Sequence, residues 1–254
     1  MLIEEAIQIK EIFSMFKDIP KFVINLDRKK DRLELFDKEM KYIGWEYERF
    51  SAVDTNSYIG CAISFMKLCE MATKNNYEHI IIFEDDIFFM PYAREAINDL
   101  ETEIFTKTTD WELFHFGPTL HRPLAAYNDK LLDLTNLPPK DPAKHTSIFG
   151  TSGFILSKKT YEYFLQWNTN KYTDNSHMHK AIDHYLDIAV YPNLQSYTYK
   201  LPIVVQRNYY SDINKTFDKN HFTMTYNWNV YCPDKLPLKY MDQDYCTSIK
   251  KNEN

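Results

Sequence analysis

The stretch Tyr77-Glu78-His79-Ile80-Ile81-Ile82-Phe83-Glu84-Asp85-Asp86-Ile87-Phe88-Phe89 decides the fold of this chain. Four apolar residues in succession, three of them β-branched, have the pattern of a strand buried on both faces. Glu84, Asp85 and Asp86 follow at once, at the strand's carboxyl end, where open α/β sheets bind their ligands. Three adjacent carboxylates repel one another and cost free energy when even partly buried. A divalent cation offsets that cost. Carboxylate oxygens suit hard ions such as Mn²⁺ and Mg²⁺, which in turn hold phosphate oxygens. A charged strand end facing water is the plainer alternative. The apolar residues on both sides place the acids inside the fold and favour a metal site.

Outward from this stretch, strands and helices alternate. Apolar residues at Ile3, Ala6, Ile7, Ile9, Ile12, Phe13 and Phe16 keep helical spacing and predict an N-terminal helix within residues 1–20, stopped by Pro20. Residues 21–26 read as the first buried strand. Asp27 is a candidate cap for a helix from about Arg28 to Tyr42, which Gly44 ends. A second strand over 45–53 leads to Asp54. A helix over 60–74, the strand into the acids, a helix over 94–105 and a strand over 111–116 follow. This order predicts a layered α/β architecture in a single domain spanning residues 1–254. Residues 117–150 interrupt it with five prolines and no clear periodicity, the mark of a functional or mobile loop. A strand over 151–157, helices over 159–167 and 181–189, and a strand over 202–206 resume the pattern. The tail over 213–254 is rich in aromatics and poor in periodic signals.

Composition excludes several function classes. A net charge of −6, from 30 basic and 36 acidic residues, lacks the dominant basic face that nucleic acid requires. Only five glycines occur, in neither a dinucleotide fingerprint nor a P-loop spacing. The four cysteines have no zinc-ribbon spacing, and a chain of this length does not rest on disulfides. Reduced thiols are therefore expected, with a Cys232–Cys246 pair as the alternative. The start Met1-Leu2-Ile3-Glu4-Glu5 lacks the apolar core of a leader, and no apolar run nears the ~20 residues of a membrane span. A cytoplasmic protein without a transmembrane segment, peripheral to membranes at most, is the expectation.

Several segments together resemble glycosyltransferase family 25, the group of lipopolysaccharide and collagen sugar transferases. The first, Val23-Ile24-Asn25-Leu26-Asp27-Arg28-Lys29-Lys30-Asp31-Arg32, is similar to the family's opening strand and its Asn-Leu-x-Arg…Asp-Arg signature. Phe50-Ser51-Ala52-Val53-Asp54, Gly60-Cys61-Ala62-Ile63-Ser64, Phe83-Glu84-Asp85-Asp86, Gly150-Thr151-Ser152-Gly153-Phe154-Ile155-Leu156-Ser157 and Ile182-Asp183 follow in order. Their order and spacing, over residues 21–212, make the combination more specific than any one of them. One departure stands out: Phe65 occupies the place where the family usually has His after the Ser. The resemblance implies a GT-A type nucleotide-sugar-binding fold, α/β with a central, mostly parallel sheet flanked by helices. It also implies a UDP-sugar donor, Mn²⁺ (or Mg²⁺) held by the acidic motif, and a glycan or a glycoprotein or collagen-like acceptor.

Glycosyl transfer passes through an oxocarbenium-like state, and the departing nucleoside diphosphate develops charge that a metal meets. Asp86, the last acid of the motif, is the candidate direct ligand. Glu84 and Asp85 hold the metal through water, hold the ribose, or supply structural charge. Asp212 and His221 are candidates for a later metal ligand, although a turn residue and a packed histidine are the ordinary readings of such groups. Asp183, at a helix start, is the candidate base of an inverting transfer, with a simple helix cap as the alternative. Asn25, Arg28 and Arg32 follow the first strand, where a nucleotide lies. Arg forks suit phosphate, and equally suit surface pairs with Asp27 or Glu34. Asp54 ends the second strand beside base or ribose, or serves a turn. Gly150, Thr151 and Ser152 form a small-residue segment that lets backbone approach the donor sugar or shapes a bend. Residues 117–150 are the candidate acceptor loop. Two rival functions share the acids: a metal-dependent phosphohydrolase of nucleotides or sugar phosphates, and a catalytically silent glycan-binding module.

Overall fold

The isoleucine run lies at the centre of an eight-stranded sheet. The computed structural model describes residues 15–55, 57–108, 110–136, 148–166, 181–210, 217–218, 220–232 and 234–241. The strands that matter here are β1 (Lys21–Asn25), β2 (Glu48–Ser51), β3 (His79–Glu84), β4 (Ile87–Phe89), β5 (Leu113–His115), β6 (Thr119–Leu120), β7 (Ala125–Ala126), β8 (Leu131–Asp133), β9 (Ile148–Phe149), β10 (Gly153–Ser157), β11 (Ser196–Tyr199) and β12 (Val204–Gln206). The helices are α1 (Met15–Asp18), α2 (Lys30–Ile43), α3 (Tyr58–Lys74), α4 (Ala93–Thr106), α5 (Lys158–Gln166), α6 (Ile182–Tyr185) and α7 (Asn220–Tyr231).

The large sheet has the order β2-β1-β3-β10-β5-β11-β8-β7. Six of its strands run one way, while β10 and β8 run against them. The sheet is thus mostly parallel in direction and mixed in pairing. Side chains alternate across a strand, so β3 feeds two cores. Ile80 and Ile82 pack with Phe65 and Leu68 of α3, Phe164 of α5 and Trp228 of α7. Ile81 and Phe83 pack with Phe36 and Met40 of α2 and Leu100 of α4. Two covered faces explain why β3 reads as an unbroken apolar run.

Helix ends follow local chemistry. Gly44 closes α2 in a left-handed conformation, φ 81°, its N–H donating to Met40 O. Ser57 caps α3, its Oγ accepting from Ile59 N. Asp27 does not cap α2; Lys29 stands at that position, and Asp27 pairs instead with Arg49 and Ser51. The second strand is shorter than the predicted 45–53. It is a mostly exposed sheet edge, as edge strands tend to be.

Three regions differ from the expectation. Residues 119–134 are not an open loop: they carry β6, β7 and β8, and β8 joins the main sheet against β11 with Leu131 and Leu132 buried. Strand β12 lies outside the large sheet and pairs antiparallel with β4, just after the acids. The tail contains α7, whose Met224 and Trp228 are buried. Residues 1–14 of the expected N-terminal helix lie outside the described residues, as does Cys246. Cys61, Cys69 and Cys232 carry free thiols. No helix among the described residues is long and apolar enough to cross a membrane.

Gly60 sets how closely α3 approaches the chain after β2. A Cβ there would stand 2.2 Å from Val53 O and 2.9 Å from Thr55 Oγ1. Ser64, one turn on, donates to Gly60 O and accepts from Val53 N. Gly60→Ala is expected to cost about 1–3 kcal/mol, the scale of overpacking, and to lower Tm by several degrees. An unchanged Tm in thermal melts would show that the 53–55 segment yields freely.

Candidate active site

A cavity of about 600 Å³ opens across the carboxyl ends of β1, β2 and β3. Its floor is the acidic turn between β3 and β4. Each acid has a different environment. Glu84 is fully engaged: Oε1 accepts from Thr151 Oγ1 at 2.5 Å and from the Cys61 thiol at 3.4 Å, and Oε2 accepts from Gln206 Nε2 at 2.7 Å. Asp85 accepts from Asn25 Nδ2 at 2.6 Å and from Arg32 at 3.2 Å. Asp86 receives a 3.5 Å ion pair from Arg32 at its Oδ2, and its buried Oδ1 has no hydrogen-bond partner among the described residues.

Burial raises the carboxyl pKa of all three acids; the charge of Asp85 adds to it at Glu84, while at Asp85 the charge of Asp31 adds and Arg32 and Asn25 oppose. For Asp86, burial comes first, then the charges of Glu84 and Asp85, with Arg32 opposing; its pKa is pushed up to about 8. The donor set is one a hard divalent cation suits: carboxylate oxygens on three residues that line the cavity, with Asp86 Oδ1 buried and without a hydrogen-bond partner among the described residues. Among the described residues no three His, Cys, Asp or Glu side chains already converge as a preformed metal cage.

The turn is held from behind. Arg207 N donates to Asp86 O at 2.8 Å, and its guanidinium donates to Ile87 O at 3.2 Å and pairs with Glu39 of α2. Glu39 Oε2 accepts from Phe89 N at 3.1 Å. This buried pair therefore clamps the backbone of β4 and, through it, Asp86.

The predicted site residues fall into two groups. Arg28, Arg32, Asp54, Glu84, Asp85, Asp86, Gly150, Thr151 and Asp183 all line the cavity. Arg28 pairs with Asp54 across its rim, rather than with Asp27 or Glu34. Asp183, second residue of α6, is half-buried and its Oδ1 accepts from His184 N at 2.8 Å. The others stand elsewhere. Asn25 lies behind the acids, its amide spent on Asp85, Lys29 O and Arg49, so it positions Asp85 and does not face the cavity. Ser152 is buried, its Oγ donating to Gly117 O. His221 is buried edge-on to Phe88 and is not among the residues that line the cavity. Asp212 lies outside the described residues. Phe65, at the family's His position, is core: it stacks on Phe164 and meets Phe154 edge-on.

The sequence reading missed Gln206, Phe149, His121, His184, Asn220 and Thr223, all of which line the cavity. Gln206 had a legible signal, a polar residue closing an apolar run as Glu84 does. Phe149, His121 and His184 come from or beside elements of two to four residues, and Asn220 and Thr223 from a helix whose apolar residues keep no single stripe.

The model of glycosyltransferase family 25 (LPS biosynthesis protein) matches residues 55–186 of the chain. A glycosyltransferase 25 family member of Anopheles gambiae is 25% identical over 44% of this chain and 25% of its own length. One of Drosophila melanogaster is 28% identical over 38% of this chain and 20% of its own. The matched part thus spans a quarter or less of these curated relatives. Among solved structures, a glycosyltransferase involved in glycosylation of the major capsid of PBCV-1 superposes with a TM-score of 0.44 at 11% identity, covering 71% of this chain and 80% of that one.

The acids make a pH prediction for the metal-free protein. Asp86 titrates near 8 when folded and near 3.8 when unfolded, so between these values the unfolded chain binds fewer protons. Stability then falls as pH rises through that window. Asp86→Asn removes this part of the slope and is expected to raise Tm at pH 8 in the presence of a chelator. Melts showing equal slopes in the wild type and the variant would refute it.

Proposed function

The chain belongs to glycosyltransferase family 25, and from that premise we propose that it is a GT-A type, metal-dependent, inverting enzyme. It moves a hexose or N-acetylhexosamine from a UDP-sugar to a hydroxyl of a glycan, a glycoprotein or a collagen-like chain. The observation that carries this reading is one cavity lined both by the acidic turn, whose Asp86 has an unsatisfied oxygen among the described residues, and, apart from the acids, by the half-buried Asp183.

In this reading Asp86 is the direct ligand of Mn²⁺ or Mg²⁺, with Glu84 and Asp85 supporting it. The bound ion supplies positive charge against the diphosphate leaving group. The remaining work belongs to side chains. Arg28 and Arg32, both lining the cavity, would bring guanidinium donors to the diphosphate. Asp54 accepts from ribose or base. Backbone at Gly150 and Thr151 borders the donor sugar. Asp183 accepts the proton of the attacking hydroxyl, and its own hydrogen bond from His184 N keeps the carboxylate oriented.

Two variants separate these roles. Asp86→Ala is expected to abolish transfer and to erase the Tm increase that Mn²⁺ with a UDP-sugar produces, since a ligand stabilises only the state that binds it. Retained Mn²⁺-dependent transfer would sink the metal assignment. Asp183→Asn is expected to keep the UDP-sugar shift and to cut turnover by ~10²-fold or more, the scale of a lost general base. A collapse of donor affinity would instead make Asp183 a donor ligand. The first experiment is a thermal-shift panel of nucleotides and nucleotide sugars with and without Mn²⁺. Release of phosphate from a nucleotide without any transfer product would favour a phosphohydrolase.

A further inference from the structure

The cavity has an aromatic wall that the roles above do not use. Phe149, half-buried at the end of β9, is flanked by two imidazoles. His121 meets its ring edge-on with centroids 5.3 Å apart, and His184 meets it edge-on at 4.8 Å. The strand beneath pairs Phe149 with Thr119 of β6. This small two-stranded sheet packs between α6, which carries Asp183 and His184, and α7, whose Asn220 and Thr223 reach the cavity.

Sheet order fixes where this wall stands relative to the nucleotide. Arg28 and Asp54 follow β1 and β2, on one side of β3. Thr151 precedes β10, on the other side of β3, and β9 runs directly into Thr151. The wall therefore lies across the acids from the Arg28–Asp54 rim and beside Asp183. A pyranose has an apolar C–H face and a rim of hydroxyls. An aromatic ring, two imidazoles, hydroxyls and an amide lining one cavity match both parts.

We infer that Phe149, in ring contact with His121 and His184, is the platform on which the acceptor's sugar ring stacks, so that one hydroxyl of that ring meets Asp183. This deepens the reading of the chain as a glycosyltransferase and rests on it. It also makes the acceptor a glycan, its terminal pyranose held by ring stacking, and not a bare protein hydroxyl.

Phe149 is half-exposed to the cavity, so its replacement should not threaten folding; Phe149→Leu keeps apolar volume without the π face, and Phe149→Trp keeps the face. The full chain with UDP and Mn²⁺ is titrated by ligand-observed NMR with methyl β-galactoside, methyl β-glucoside and methyl α-mannoside. Expected is saturation of the ring-face protons of at least one glycoside in the wild type. Its affinity falls about tenfold in Phe149→Ala, the scale of a lost aromatic contact, less in Phe149→Leu, and holds in Phe149→Trp. The Tm increase from UDP with Mn²⁺ is unchanged in all three. Equal glycoside binding in wild type and Phe149→Ala, no glycoside binding in the wild type, or a UDP shift lost with Phe149 would each overturn the platform. A wild type that responds to no nucleotide fails the transferase reading instead, and the platform still stands if glycoside binding depends on Phe149.

Discussion

Three consecutive carboxylates at the buried end of β3 are the constraint to which the rest of the site answers. Left alone they would repel one another in a medium that screens charge poorly. The chain offsets part of that cost with donors drawn from all over the sequence. Thr151, Cys61 and Gln206 satisfy Glu84, Asn25 and Arg32 satisfy Asp85, and Arg32 reaches Asp86. Among the described residues one oxygen of Asp86 has no hydrogen-bond partner, so the repulsion is offset least at the last acid of the turn.

The family segments take on separate physical jobs around that constraint. Asn25 spends its amide on Asp85 and Lys29 O and its carbonyl oxygen on Arg49, so it helps to fix one of the acids. Gly60 lets α3 approach Val53, Cys61 donates to Glu84, and Ser64 ties the chain before Asp54. Phe65, where the family usually has His, faces the opposite way. It fills core against Phe154 and Phe164, so the departure changes packing and leaves the cavity lining intact.

Positioning also comes from a part of the structure no motif announces. Glu39 and Arg207 form a buried ion pair between α2 and the end of β12, and both hold β4 backbone. Such a pair adds little net stability over apolar packing, but losing one member strands a buried charge at about 3–5 kcal/mol. Its value here is geometric. It fixes the β4 backbone immediately after the acids, and Arg207 N fixes the carbonyl of Asp86 itself.

What the sequence determined by itself was set by local rules. The unbroken run Ile80–Phe83 means a strand covered on both faces. Gly44 ends a helix, the alternation of elements makes an α/β sheet, and the acids end a strand where ligands bind. The cavity membership of Arg28, Arg32, Asp54, Thr151 and Asp183 was legible from the family's ordered segments. The tertiary structure decided what depends on contacts across long separations in the chain. Only folding brings Gln206 to Glu84 and Arg207 to Glu39, and only folding joins β8 to β11 and seats Phe149 beside His121 and His184. The segment 119–134 has no period because its strands are two or three residues long, too short to display one, and α7 hides among aromatics that are apolar around much of its circumference. Asp86 itself was readable as an acid at a strand end. That it, and not Glu84 or Asp85, has an unsatisfied oxygen among the described residues depends on where the fold brings distant donors.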